Sequence, residues 1–112
     1  MRAADCGGNL AICESGNLRM VIGHLAIELH IPGARSLKEK RMVLRSVKDR
    51  IRKFNVAVAE VEYNDLWQRA GLSVVTVSNE EKHADRELAA VVTEIERVEP
   101  GLIARTEVEF LG

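Results

Sequence analysis

The residues best suited to chemistry in this sequence are the bases of one segment, Arg35 to Lys53. The segment holds nine of the sixteen Lys and Arg residues and only two acids, Glu39 and Asp49, so its formal charge is +7. The rest of the chain holds seven bases and fifteen acids, and the net charge of the whole is −1. Clustered cations attract phosphate groups, and a field this uneven steers association more than it shapes a fold. One interpretation of this segment is therefore a surface that binds a polyanion.

Two interleaved periodicities indicate that this segment is a helix. Apolar residues recur at steps of three, four and seven, as on the buried side of a helix. These residues are Leu37, Leu44, Val47, Ile51 and Phe54. Beside them, bases repeat with the same rhythm over about 21 Å at the helical rise. We call these bases the basic stripe: Lys38, Arg41, Arg45, Lys48 and Arg52. Ser36 followed by Glu39 has the spacing of a capping box and predicts the helix start.

The basic stripe has two interpretations. Charged helix faces are often only solvated, with long basic side chains lying over the edge of the core. The second interpretation is a phosphate-binding surface, which the scarcity of interspersed acids favours because solvated faces usually mix both signs. On this interpretation the nucleic-acid-binding residues are Arg35, Lys38, Lys40, Arg41, Arg45, Lys48, Arg52 and Arg69.

A second cluster, Trp67 with Gln68 and Arg69, lies in a predicted connection between strands. An isolated large aromatic residue usually packs, so Trp67 could cover one end of the core. Alternatively, Trp67 or Arg69 contacts a base or a partner chain, with Gln68 as a further loop contact. The sequence leaves both interpretations open.

Residues that could support catalysis or bind a metal are sparse. His24, Glu28 and His30 alternate along one strand, where spacings of about 6.6 Å prevent a single strand from closing a metal site. Cys6 and Cys13 have no further ligands nearby in sequence. The chain has no GxSxG, P-loop, CxxC or HExxH motif. We therefore predict a non-enzymatic protein without a metal or other cofactor.

Length and composition predict one small domain. The chain has 112 residues, 46% of them hydrophobic, which suffices for a core. Residues 1–19 lack sustained periodicity, so we expect a flexible extension, with Met20 as an alternative start, and a single domain over residues 20–112. No apolar run approaches the length of about 20 residues that a membrane span needs, and no signal-peptide pattern is present, so we expect a cytoplasmic location.

The predicted elements alternate in the order β-α-β-β-α-β. We expect strands over residues 20–31, 56–63, 72–78 and 102–111, and a second, acidic helix over residues 80–99 that begins with a capping box of Ser78 and Glu81. This order is typical of the α+β ferredoxin-like fold, a four-stranded antiparallel sheet with two helices on one face. The other sheet face is predicted to be open, mixed to acidic in charge and without an aromatic platform for stacked bases.

Several linked motifs resemble a known family. They are SLKEKR at residues 36–41, LRSVKDRIRKFNVAVAEVE, DLWQRA at residues 65–70 and VTVSN at residues 75–79. In this order they resemble the YlxP-like family of small bacterial proteins, over about Met20 to Leu111. The resemblance implies a ferredoxin-like fold, no established activity and no assigned catalytic residue. Members are often encoded beside genes for translation initiation and ribosome maturation, which is an association rather than a mechanism.

The resulting functional hypothesis is an accessory protein that associates with RNA or a ribosomal subunit through its first helix. The alternative is a homo-oligomeric interaction module. Its copies would pair through the open sheet face or an edge strand, or through the basic helix of one copy and the acidic helix of another.

Overall fold

The computed structural model describes residues 20–111, which form four strands and two helices in the predicted order β-α-β-β-α-β. The elements are β1 (Val21–His30), α1 (Leu37–Ile51), β2 (Ala57–Glu62), β3 (Arg69–Ser78), α2 (Glu81–Val98) and β4 (Ile103–Leu111). The predicted extension, residues 1–19, lies outside the described residues.

The four strands form one antiparallel sheet in the order β2-β3-β1-β4. Each helix connects two strands that have another strand between them, and the two helices contact each other on the same side of the sheet. The predicted α+β ferredoxin-like fold is thereby confirmed. The opposite side, which we call the open face, carries no helix in the described part of the chain.

The core lies between the helices and the sheet. Along β1 and β3, side chains point alternately to the two faces of the sheet, and those that face the helices are buried. The main contributors are Leu25, Ile27 and Leu29 from β1, Leu72 and Val74 from β3, Leu44, Val47 and Ile51 from α1, and Leu88, Val91 and Ile95 from α2. Three of the four residues predicted for the buried side of α1 itself are therefore in this core, while Phe54 packs at its margin.

The two predicted capping boxes have different outcomes. Ser36 is the N-cap of α1: its Oγ accepts a hydrogen bond from the Glu39 amide at 3.2 Å, and the Glu39 carboxylate accepts one from the Arg35 amide at 2.7 Å. At α2 the prediction was wrong, because strand β3 continues through Ser78 and the N-cap is Glu80, without a side-chain cap. Ser78 instead accepts a hydrogen bond from the Glu80 amide.

A β-bulge interrupts the pairing of β2 with β3. Glu60 lies opposite Leu72, whereas Glu62 lies opposite Gly71, so Val61 is the extra residue. At Gly71 the strands approach so closely that a Cβ atom there would lie 2.7 Å from the Cβ of Glu62. The bulge therefore requires glycine at this position.

Lys40 is buried although the segment around it is the most charged of the chain. It is 1% exposed, its Nζ lies 3.0 Å from Glu60 Oε2 on β2, and it donates a hydrogen bond to the Tyr63 carbonyl at 2.6 Å. Lys40 was among the residues predicted to bind phosphates. Because its ammonium is enclosed and already paired, we remove Lys40 from that set.

We predict that Lys40→Met destabilises the protein by about 2–4 kcal/mol, since Met keeps the packing but leaves the Glu60 carboxylate without its cation. The Glu60 side chain keeps 22% of its exposure, which favours the lower part of this range. Urea unfolding followed by circular dichroism measures the change. The matched control is Lys38→Met on the exposed side of α1, expected within about 0.5 kcal/mol of wild type.

A companion double variant, Lys40→Met with Glu60→Leu, removes both charges and should recover much of the loss. Equal unfolding free energies for Lys40→Met and Lys38→Met would show that the buried pair does not stabilise the fold.

Candidate nucleic-acid interface

The basic stripe lies on the solvent side of α1. Lys38, Arg41, Arg45 and Arg52 are exposed, and Lys48 is half-buried. Within residues 20–111, the only one of these bases in an ion pair is Arg52, whose guanidinium lies 3.0 Å from the Asp49 carboxylate with both side chains exposed. Exposed pairs of this kind contribute little, so the stripe presents its charges to solvent. Arg35, just before the helix, is also exposed.

The far end of the basic segment is tied to the acidic helix. Glu94 of α2 is buried and lies 2.8 Å from Arg97 and 3.2 Å from Lys53, which follows α1. The hydrogen bond from Arg97 lowers the pKa of Glu94 below its usual range, and Lys53 acts in the same direction, while burial opposes both. This contact joins Lys53, just after α1, to α2.

The structure separates Arg69 from the basic stripe. Arg69 precedes the buried Ala70 on β3, so its side chain lies on the open face, on the other side of the sheet from α1. There its guanidinium pairs with Glu28 and stacks on the Tyr63 ring, 4.3 Å from the centroid. The hydrogen bond to Glu28 raises the pKa of Arg69 above its usual value. Arg69, predicted to bind nucleic acid together with the bases of α1, thus lies apart from them and is paired with Glu28.

Gln68 and Trp67 have opposite roles in the connection between β2 and β3. The Gln68 side-chain amide donates to the carbonyls of Pro32 and Ala34, at 3.2 and 3.3 Å, and so holds this connection against the segment before α1. Trp67 is 50% exposed and is not part of the core. The interpretation that Trp67 covers an end of the core was therefore wrong, because Trp67 is not among the residues that pack against the core.

Tyr63 is the residue of this region that the sequence did not single out. Its φ of 60° is the only positive φ of a non-glycine residue within the described residues. Its carbonyl accepts hydrogen bonds from Lys40 and from the Leu66 amide, and its ring supports Arg69. The following Asn64-Asp65 pair indicated a turn, but nothing in a Tyr predicts a left-handed backbone.

The open face carries a polar row that resembles part of an acyl-transfer site. His24 bonds through Nε2 to Ser73 and lies through Nδ1 at 3.4 Å from Glu109. A nucleophilic serine also needs free N–H donors to stabilise an oxyanion. Here Ser73 lies in the middle of β3, which is paired with β1 on one side and β2 on the other. The backbone N–H groups around Ser73 therefore bond to the neighbouring strands. We interpret the row as a polar network of the sheet surface.

The three candidate metal ligands go to different partners. His24 joins the polar row, Glu28 pairs with Arg69, and His30 is exposed at the end of β1. Residues 20–111 contain no group of three or more His, Cys, Asp or Glu side chains placed to hold a metal ion. Cys6 and Cys13 lie outside the described residues. Over the same residues, neither helix has the length and apolar character that crossing a membrane requires.

Fold and surface together define a class of protein: a small α+β domain of ferredoxin-like topology with one strongly basic, solvent-facing helix. The chain belongs to the family described as "Protein of unknown function (DUF503)", whose profile matches residues 22–108. It is similar to "Uncharacterized protein YlxP" of Bacillus subtilis (strain 168), with 39% identity over 94 residues that cover 78% of this chain and 98% of the relative. The YlxP-like resemblance of the sequence motifs is confirmed.

Solved structures share the architecture at low identity. "De novo designed protein Foldit4" superposes with a TM-score of 0.54 at 12% identity, over 84% of this chain and 98% of the other, and so shows the fold alone. A C-terminal segment of the alpha subunit of aIF2 from Pyrococcus abyssi has a TM-score of 0.48 at 20% identity, over 89% of this chain and 54% of the other. At that TM-score the second likeness carries no argument.

We predict that Glu94→Gln lowers the unfolding free energy at neutral pH and that this difference shrinks in acid. Because the folded-state pKa of Glu94 is depressed, its stabilisation is fully present above the unfolded-state value of about 4.5 and is lost as the pH falls through the folded-state value. Urea unfolding over a pH series measures it. Glu96→Gln, exposed on the same helix, is the control; a Glu94→Gln difference that did not change with pH would contradict the assignment.

Proposed function

We propose that this protein is a non-enzymatic, cytoplasmic accessory factor that binds RNA, and in particular a ribosomal subunit, through the phosphate backbone. The observation that supports the proposal is the basic stripe: a line of exposed bases on one helix face, almost none of which is paired within the described residues. A face that served only solubility would mix acids among these bases. The stripe is therefore better suited to an anionic ligand than to water alone.

The distribution of charge around the stripe also supports the proposal. Of the two acids in the basic segment, Glu39 caps the helix start and Asp49 pairs with Arg52, so neither neutralises Lys38, Arg41 or Arg45. The open face, by contrast, carries Glu107 and Glu109. A polyanion approaching such a molecule is drawn to α1 and repelled by the opposite side. Phosphate contacts of this kind orient a ligand but read no sequence.

The test is RNA binding across a salt series with a neutralised stripe. We expect the variant Lys38→Gln/Arg41→Gln/Arg45→Gln to bind ribosomal subunits more weakly. The negative slope of log affinity against log salt should become less steep by about 2–3, because three phosphate contacts are lost. Co-sedimentation with purified ribosomal subunits measures both quantities. The stripe residues are exposed, so the variant should unfold at the wild-type urea concentration.

The matched control is Lys82→Gln/Arg86→Gln/Arg105→Gln, which removes the same charge from exposed positions on α2 and β4. It should leave affinity and slope close to wild type. Equal losses in the two triple variants would reduce the effect to net charge, and retained binding in the stripe variant would refute the proposal.

A second candidate function is a homodimeric interaction module, favoured by an apolar row across one end of the open face. Val77, Ile22 and Leu111 are cross-strand neighbours on β3, β1 and β4, and Val77 and Leu111 remain 52% and 60% exposed. Exposed apolar rows of this kind are often covered by a second copy, in which the same residues meet across a two-fold axis.

Sedimentation equilibrium at low and high salt tests the second candidate. A dimer held by this row persists in high salt, because apolar contacts are not screened, and Val77→Lys/Leu111→Lys converts it to a monomer. A dimer that salt dissociates would instead indicate pairing of α1 with the acidic α2, and a monomer under all conditions would exclude both arrangements.

A further inference from the structure

A shallow depression lies at the end of the sheet, beside the connection between β2 and β3. Its volume is about 690 Å³, within the range of small-molecule and nucleobase sites. We call it the Trp67 depression; its lining residues are His30, Asp65, Leu66, Trp67, Gln68 and Arg69. Leu66 and Trp67 are 44% and 50% exposed, so two large apolar side chains adjoin each other in solvent. The basic stripe does not account for this feature.

The connection that presents Trp67 is held at several points. The Gln68 side chain bonds to the carbonyls of Pro32 and Ala34, and the Gln68 carbonyl accepts a hydrogen bond from the Ile31 amide at 2.9 Å. At its other end, the Tyr63 carbonyl is bound by the buried Lys40. A segment fixed at both ends binds a ligand with little further loss of entropy. The exposed indole is therefore presented on a rigid support.

The same contacts join the start of α1 to the connection that carries Trp67. Gln68 bonds to Ala34, and the next residue, Arg35, is exposed immediately before α1. Lys40, which binds the Tyr63 carbonyl, lies between exposed Lys38 and Arg41. The aromatic surface and the start of the basic stripe thus lie at the same end of the molecule. A ligand with a flat ring on a phosphate backbone matches both.

We propose that the Trp67 depression binds an unpaired nucleobase, stacked on Trp67, whose exocyclic amino group donates to the Asp65 carboxylate. This inference rests on the proposed function, because the basic stripe supplies the phosphate affinity, and it names the ligand as single-stranded or looped RNA. Bases within a duplex are already stacked and cannot reach the indole. Of the two pyrimidines, a carboxylate acceptor favours cytosine, which presents an amino group at the position where uracil presents a carbonyl.

The experiment uses oligo(C) and oligo(U) of equal length, together with an RNA duplex, at neutral pH. Trp67 is the only tryptophan of the chain, so quenching of its fluorescence reports contact at this position directly. We expect quenching by the single strands and not by the duplex, with about five- to tenfold tighter binding of oligo(C). Anisotropy of labelled oligonucleotides measures the affinities of all variants.

Three variants define the roles of the two side chains. Trp67→Ala should weaken single-strand binding by about 5- to 150-fold, whereas Trp67→Phe, which still stacks, should recover most of the affinity. Asp65→Asn should reduce the preference for oligo(C), because an amide can also donate to the uracil carbonyl. Trp67 is exposed, so circular dichroism of all three variants should match wild type.

The outcomes separate this inference from the proposed function. If Trp67→Ala binds RNA as wild type does while the stripe variant loses binding, the stripe binds RNA and the base site is refuted. If wild type binds no RNA, both fall together. Equal quenching by the duplex would refute single-strand recognition. A Trp67 emission change that depends on protein concentration without RNA would assign the depression to contacts between copies and overturn the inference.

Discussion

The buried Lys40 ammonium makes the contacts that link the two candidate binding elements, the basic stripe and the Trp67 depression. It reaches from α1 to the Glu60 carboxylate on β2 and to the Tyr63 carbonyl at the start of the Trp67 connection. One buried charge therefore joins a helix to an edge strand and to the loop that directly follows that strand. The apolar side of α1 already determines which face of the helix is buried. The ion pair and the hydrogen bond of Lys40 add contacts with particular partners to that arrangement.

The surface of the domain is divided by sign of charge. Bases dominate the solvent side of α1, α2 carries mainly acids, and the open face pairs its arginines, Arg69 and Arg105, with Glu28 and Glu107. Contacts at the boundary, such as Glu94 with Lys53, join the two helices without neutralising the stripe. The near-zero net charge of the chain thus conceals two oppositely charged surfaces. A molecule of this kind orients itself in the field of a polyanion before any contact forms.

The fold was predictable because it follows from periodicity, which single residues disturb little. The steps of three and four in α1 and the alternation in β1 identify the buried sides, and Ser36 identifies a helix start. The prediction fails where a residue type that is usually exposed occupies a buried position. Lys40 occupies the gap in the apolar series between Leu37 and Leu44, a position that requires burial whatever the residue. A lysine, however, is usually exposed to solvent. Burial at this position is possible because Glu60 on the facing strand supplies an opposite charge.

The candidate site was predictable only in part, for a related reason. Exposed bases on a helix follow from local spacing, so the stripe was visible in the sequence. The position of Trp67 depends on contacts from Gln68 to a segment more than 30 residues away, and on the left-handed backbone of Tyr63. Tertiary contacts of this range leave no local pattern.

The bulge opposite Gly71 limits how such a protein can diverge. Bases of the stripe can be exchanged singly, because four of the five are exposed and none supports its neighbours. Position 71 has no such freedom: any side chain there meets Glu62, and relieving that contact displaces β2 together with the Tyr63 carbonyl that binds Lys40. The charges on the surface can therefore change one residue at a time. The backbone geometry of the bulge, which positions β2 and the Tyr63 carbonyl, can change only as a whole.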